Sequence, residues 1–184
     1  MGLMERTAME PTIVERDQIL LAGFSFFGDP FAASGGWTEE NEIGRLWNRL
    51  GAYMAHHGDR IKHIKNPCVY YEVHITHAET AEKGHFEVFV GVEIAQLADL
   101  PVEISVKMLP PTTYAVFTLK GRQITSDWTR MIYHEWMPGS GYGEAYGYMF
   151  QLYDQRFKGL DELDASALDA YIPVKPVREA ARAS

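Results

Sequence analysis

The sequence predicts an α+β fold: a strand–helix–strand–strand module that occurs twice, giving two antiparallel sheets with helices packed on them. Three observations lead to it. Several runs alternate apolar and mixed residues with period two, the signature of strands. One run, from Ile43 to Met54, instead repeats its apolar residues at helical spacing. The order of these runs in the first half then recurs in the second, with a linker near Ala98–Pro101 between the copies.

Each element has its own warrant. Thr12 to Gly28, rich in Ile, Leu, Val and Phe, reads as one long strand bent at Gly23. Asp29 through Gly36 is a loop. The helix that follows takes Thr38 as its N-cap, places Glu39 and Glu40 where the macrodipole favours acids, and stops at Gly58. Its inner stripe is Ile43, Leu46, Trp47, Leu50 and Met54. In the next strand Val69, Tyr71, Val73 and Ile75 alternate with Tyr70, Glu72, His74 and Thr76. Past a polar turn, Phe86, Val88, Val90, Val92 and Ile94 alternate with His85, Glu87, Phe89, Gly91 and Glu93. The uniformly apolar members are assigned to a helix-covered face and the mixed members to the opposite one. The second half opens with a strand from about Val102 to Leu119, interrupted by Pro110-Pro111. A shorter helix, about Ser126 to Trp136, carries Trp128, Met131, Ile132 and Trp136 and ends at Pro138-Gly139. Strands near Tyr148–Asp154 and Leu168–Val174 complete the copy. Residues 11–177 are thus expected to form one domain of two pseudo-repeats, about 11–97 and 102–177, with disordered tails at 1–10 and 178–184.

Composition narrows the function. A chain of 184 residues, 46% apolar and 23% charged, is long enough for one globular domain with a substantial core. A net charge of −8, with lysines and arginines scattered, does not suit a nucleic-acid surface. The lone cysteine, Cys68, has no internal disulfide partner and suits a reducing cytoplasm; opening an apolar run, it is expected as a small buried thiol. No signal peptide is evident, and the longest near-apolar run, Ile19 to Phe27, is too short to span a bilayer. A soluble cytoplasmic protein is expected. His74 and His77 fall on opposite strand faces, and His134-Glu135 is followed by Pro138 where a zincin-like pattern needs histidine, so no metal site is expected. Gly139 to Gly143 follows a helix instead of preceding one and makes no phosphate loop, and Ser140 lacks the strand-to-helix setting of a nucleophile elbow. No cofactor is expected.

The stretch from Ile132 to Asp154 concentrates Tyr133, Trp136, Tyr142, Tyr146, Tyr148 and Tyr153. Aromatic walls with one orienting polar group are what a small-molecule pocket needs. If the two sheets face one another, Phe89, Glu93, Gln151 and Tyr153 line one channel.

The chain resembles the GyrI-like small-molecule-binding family. The resemblance rests on Pro11-Thr-Ile-Val-Glu-Arg16, Ile43-Gly-Arg-Leu-Trp47, Phe86 through Glu93, and Leu109-Pro110 followed by Tyr114-Ala-Val-Phe117 and Gly121. It continues through Trp128, Ile132-Tyr133, Glu135-Trp136-Met-Pro138, Tyr142, Tyr153-Asp154 and Tyr171-Ile-Pro173-Val174. It implies two strand–helix–strand–strand modules around a central channel that takes hydrophobic, often cationic, small molecules. Such domains are the effector-sensing halves of multidrug-responsive transcription regulators and also stand alone. With only about ten residues ahead of the domain, a stand-alone form is expected. Phe89, Glu93, Tyr114, Trp136, Tyr142, Gln151 and Tyr153 are the candidate ligand-binding residues.

Two rival functions follow from the same resemblance. Some stand-alone relatives hydrolyse cyclopropanoid compounds, which would make Glu93, with a raised pKa in an aromatic channel, a general acid or base. The other is a protein-binding inhibitor that docks a gyrase-like partner through an exposed sheet edge. One departure bears on all of these: the family commonly has Phe-Glu-x-Tyr where this chain has Phe150-Gln151-Leu152-Tyr153. The amide keeps hydrogen-bonding capacity but removes the charge, which leaves Glu93, and more weakly Glu135, to supply it.

Overall fold

The computed structural model describes residues 10–177, so the expected tails lie outside the described residues except at Glu10. The elements are β1 (Thr12–Arg16), β2 (Ile19–Gly28), α1 (Glu42–His57), β3 (Tyr70–Ile75), α2 (Thr80–Lys83), β4 (Phe86–Ile94), β5 (Ser105–Leu109), β6 (Thr112–Lys120), α3 (Trp128–Arg130), β7 (Tyr142–Glu144), β8 (Tyr148–Tyr153) and β9 (Ala167–Pro176). The α+β class stands, and each module is visible: β2-α1-β3-β4 lays its strands out as β2-β4-β3, and β6-α3-β8-β9 as β6-β9-β8. The two sheets are joined, however. β3 and β8 pair antiparallel at the seam, so the described residues form one sheet in the order β1-β6-β9-β8-β3-β4-β2-β5, with β7 on β9.

A ribbon ties the ends of this sheet together. β1 pairs with β6 and β5 with β2 in one continuing register, Arg16 opposite Thr112 and Ile19 opposite Leu109. The single strand expected from Thr12 to Gly28 therefore breaks at Asp17-Gln18 and not at Gly23. Pro110 and Pro111 lie across from that break, where their missing N–H groups would weaken any ladder. Because β1 runs into β2 and β5 into β6, the sheet curls on itself.

Register settles which face is which. Val73 stands opposite Phe89 on β4 and Phe150 on β8, whereas Glu72 stands opposite Val90 and Gln151. Facing residues share a side of the sheet, so β3 and β4 are out of phase with the assignment made from alternation alone. Inside the curl lie Leu21, Tyr71, Val73, Phe89, Tyr114 and Phe150, packed as one core. On the outer side α1 covers Ala22, Phe24, Val88 and Val90, while α3 and its continuation cover Phe117, Met149, Ala170 and Ile172. Both faces are therefore buried, which is why both carry apolar residues.

The helices follow the expected stripe with different ends. Leu46 and Leu50 are the buried residues of α1. Its N-cap is Asn41, whose side chain accepts from the Gly44 N–H, and not Thr38. The Asn41 amide also donates to the Gly36 carbonyl at 2.7 Å, a tertiary contact that fixes the cap. α3 begins at the cap Asp127, widens into a π-helical stretch over Met131–Trp136 and closes in a 3-10 turn over Met137–Gly139. Cys68 is exposed, not buried: Asn66 accepts hydrogen bonds from the Cys68 and Val69 N–H groups, forming a turn before β3 begins.

Candidate functional site

A cavity of about 700 Å³ opens on the outer side of the sheet, at the β3–β8 seam between the two helices. Its floor is the outward-facing set of these strands: Tyr70, Glu72 and His74 from β3, Gln151 and Tyr153 from β8. α1 contributes Ile43, Gly44 and Trp47, and Trp128 comes from α3. The loop before α1 adds Phe31 and Trp37, and the loop after β8 adds Phe157 and Leu160. The walls are aromatic and edge-on: Trp47 meets Tyr153 at 5.0 Å and Tyr70 at 6.2 Å between ring centres, and Phe157 meets Tyr153 at 5.0 Å.

At the centre of the floor is a buried carboxylate. Glu72 is only 4% exposed. Its Oε2 accepts from the Trp47 indole Nε1–H at 2.5 Å, and its Oε1 from the Gln151 amide at 3.2 Å. His74 Nε2 lies 2.8 Å from Oε1. The Tyr153 hydroxyl reaches the Gln151 carbonyl oxygen at 3.1 Å and Glu72 Oε2 at 3.5 Å. Burial first, then the Glu72 charge, holds the Tyr153 phenol well above its ordinary pKa, so it stays an O–H donor. A carboxylate taken from water needs such partners, because an unsolvated charge costs several kcal/mol, on the order of a domain's whole stability. The Trp47, Gln151 and Tyr153 donors are neutral and leave its charge in place. Among the described residues that line the cavity there is no lysine or arginine, while Glu39 and Asp154 stand with Glu72 as carboxylates.

The seven candidates from sequence divide. Gln151 and Tyr153 line this cavity together. Phe89 and Tyr114 lie in the core inside the curl, and Tyr114 shares a 2.7 Å hydrogen bond with Tyr148. Glu93 is also on that inner face, held by Lys65 at 2.7 Å, the Tyr71 hydroxyl at 2.6 Å and Arg16 at 3.5 Å. Burial alone would raise its pKa, but Lys65, Tyr71 and Arg16 outweigh it and leave the carboxylate below the ordinary range. The raised pKa expected for a general acid or base at Glu93 is therefore corrected. Trp136 and Tyr142 stack on one another 6.3 Å apart, with Trp136 edge-on to Phe117, against the second module's core. Glu135 lies 4.0 Å from Arg130. The single channel of Phe89, Glu93, Gln151 and Tyr153 does not form, because the register separates the first two from the last two.

Sequence reasoning missed Glu72, Trp47 and His74 as members of one site. A signal was present: Tyr70-Tyr71-Glu72-Val73-His74 carries a carboxylate in mid-strand among large apolar residues. Only the cross-strand pairing shows that it meets Gln151 and not Glu93. Among the described residues no cluster of three or more histidines, cysteines or carboxylates is placed to hold a metal ion, and no helix is long and apolar enough to cross a membrane.

Residues 12–174 match the model of the integron-associated effector binding protein family, Cass2, and the chain belongs to that family, which is GyrI-like. It is 32% identical over 169 residues to the transcriptional regulator BrlR of Pseudomonas aeruginosa, covering 90% of this chain and 56% of the regulator, so it spans little more than half of that relative. Two solved structures share the fold. SAV2435 bound to tetraphenylphosphonium aligns with a TM-score of 0.65 at 16% identity, covering 91% of this chain and 94% of that one. An integron cassette protein from the mobile metagenome of Vibrio cholerae aligns with a TM-score of 0.58 at 16% identity, covering 90% and 96%.

Proposed function

We propose that the seam cavity binds an aromatic small molecule bearing a positive charge, and that this binding is the protein's function as an effector-sensing or drug-sequestering unit. The observation that carries the reading is Glu72: a buried carboxylate, hydrogen-bonded by neutral groups, in an aromatic cavity with no lysine or arginine among its described lining residues. Such a site is electrostatically incomplete, and a ligand cation completes it more favourably than a neutral ligand of the same shape. Aromatic rings around the carboxylate offer their negative faces to the same cation while covering its apolar groups. The name of the family and the tetraphenylphosphonium held by SAV2435 support this reading. The unpaired Cys68 suits work in a reducing cytoplasm.

Trp47 and Trp128 both line the cavity, so intrinsic fluorescence reports its occupancy. Titration with tetraphenylphosphonium bromide is expected to change tryptophan emission with a Kd below about 1 mM, and Trp47→Phe is expected to remove part of the signal. No saturable change up to that concentration, with no heat in calorimetry, would contradict the proposal.

A further inference from the structure

We infer that His74 is a proton-operated competitor for the cavity's ligand: as an imidazolium it serves as the internal counter-ion of Glu72, and as a neutral ring it leaves that carboxylate to the ligand. The inference rests on the reading of the cavity as a cation site and specifies how that site is regulated.

The geometry sets up the competition. His74 and Glu72 are two apart on β3, so both side chains project on the same face. Nε2 lies 2.8 Å from Oε1, close enough for a second ring proton to make a charge-assisted pair. His74 is partly buried, with 26% of its side chain accessible, and it forms part of the cavity lining, so the pair sits beside the space a ligand would fill. The described residues that line the cavity with it include no lysine, arginine or second histidine. β4 presents Val88 opposite it and the Phe86 ring at 5.4 Å; β8 presents Met149 opposite it, with Gln151 alongside. The other titratable groups lining the cavity are Glu39, Cys68, Tyr70, Tyr153 and Asp154, and Asp154 is occupied by Arg156 at 2.9 Å. Of the described lining residues, His74 alone has a side chain that can take up a proton to become positive.

A permanent cation entering the cavity then meets one of two states. With His74 neutral it finds a carboxylate whose charge is uncompensated. With His74 protonated it finds a closed ion pair and a like charge a few ångströms away. Binding and protonation are linked, so binding releases His74's proton, and protonation weakens binding by the same factor. While His74 is protonated in the free protein and neutral in the complex, affinity for a permanent cation falls by up to about tenfold for each unit that the pH drops.

The test is calorimetric titration of tetraphenylphosphonium bromide at pH 5.5, 6.5, 7.5 and 8.5 with the full chain and with His74→Gln. The wild type is expected to bind more tightly as pH rises and then to level off. Apparent enthalpies at pH 6.5 in phosphate and in Bis-Tris, which both buffer there and differ in ionisation enthalpy, are expected to differ by the release of up to one proton. In His74→Gln the fall in affinity toward low pH and the proton release are both expected to be lost, whatever the absolute affinity of the variant. Wild-type affinity that does not vary with pH, or a His74→Gln variant with the wild-type slope, would overturn the inference while leaving the cation site standing. Absence of binding by both proteins at every pH would instead overturn the cation-site reading and this inference with it. The proton count on the wild type stands even if the variant folds poorly.

Discussion

Gln151 does two things that a glutamate in its place would do badly. Its amide donates to Glu72 while its carbonyl oxygen accepts from Tyr153, so one side chain links a buried phenol to a buried carboxylate. The carboxylate at this point of the sheet sits one strand over, on Glu72, the residue directly opposite. Gln151→Glu would set two carboxylates face to face in a buried site, where one must hold a proton or both must repel. The expected outcome is no gain in tetraphenylphosphonium affinity at pH 7 and a stability loss of about 1–3 kcal/mol in denaturant unfolding. A tenfold gain in affinity would show instead that the two charges add. Glu93, the residue expected to supply a charge in place of one at 151, lies on the other side of the sheet.

At the scale of elements, the start of α1 is what holds the cavity's lip. Asn41 is 1% exposed and bonds both to the Gly44 N–H and to the Gly36 carbonyl, so one residue caps the helix and pins the loop that carries Trp37. Asn41→Ala is expected to cost about 1 kcal/mol through the lost cap, with tetraphenylphosphonium bound several-fold more weakly because the loop is released. Thermal melts and titration on the same sample check both. Gly44 makes the same point from the backbone: a Cβ there would lie 2.2 Å from the Thr38 carbonyl oxygen, so Gly44→Ala is expected to displace the lip more than it disturbs the helix. The body of α1 was legible in the sequence because Leu46, Trp47 and Leu50 follow a helical stripe. The cap was not, because Asn41 is chosen over Thr38 by a contact with Gly36 that local pattern does not encode. α3 was legible as helical, but its π-helical course over Met131–Trp136 was not, since the same apolar residues fit either winding.

For the whole molecule, the repeat and the α+β class were readable because each half preserves its order of elements. The assignment of faces was not. A strand buried on one side shows its inside by alternation, but this sheet is covered by helices outside and closed by its own curl inside, so Val73 and Val90 look alike and lie on opposite sides. The carboxylates separated accordingly: Glu72 went to the cavity, Glu93 to the inner ion-pair cluster. That cluster predicts acid sensitivity. The pKa of Glu93 in the folded state is depressed below the ordinary 4.5, so its contribution is fully present above that value and is lost as pH falls through the folded one. Glu93→Gln is expected to lower Tm at pH 7 and to flatten the fall in Tm that the wild type shows below about pH 4.5. The central claim, that Glu72 selects for positive charge, is tested most directly by two probes of nearly one shape and opposite charge. The wild type is expected to bind tetraphenylphosphonium at least about tenfold more tightly than tetraphenylborate at pH 8, with Glu72→Gln abolishing the preference. Equal affinities for the two ions in the wild type, or a preference that survives in Glu72→Gln, would contradict it.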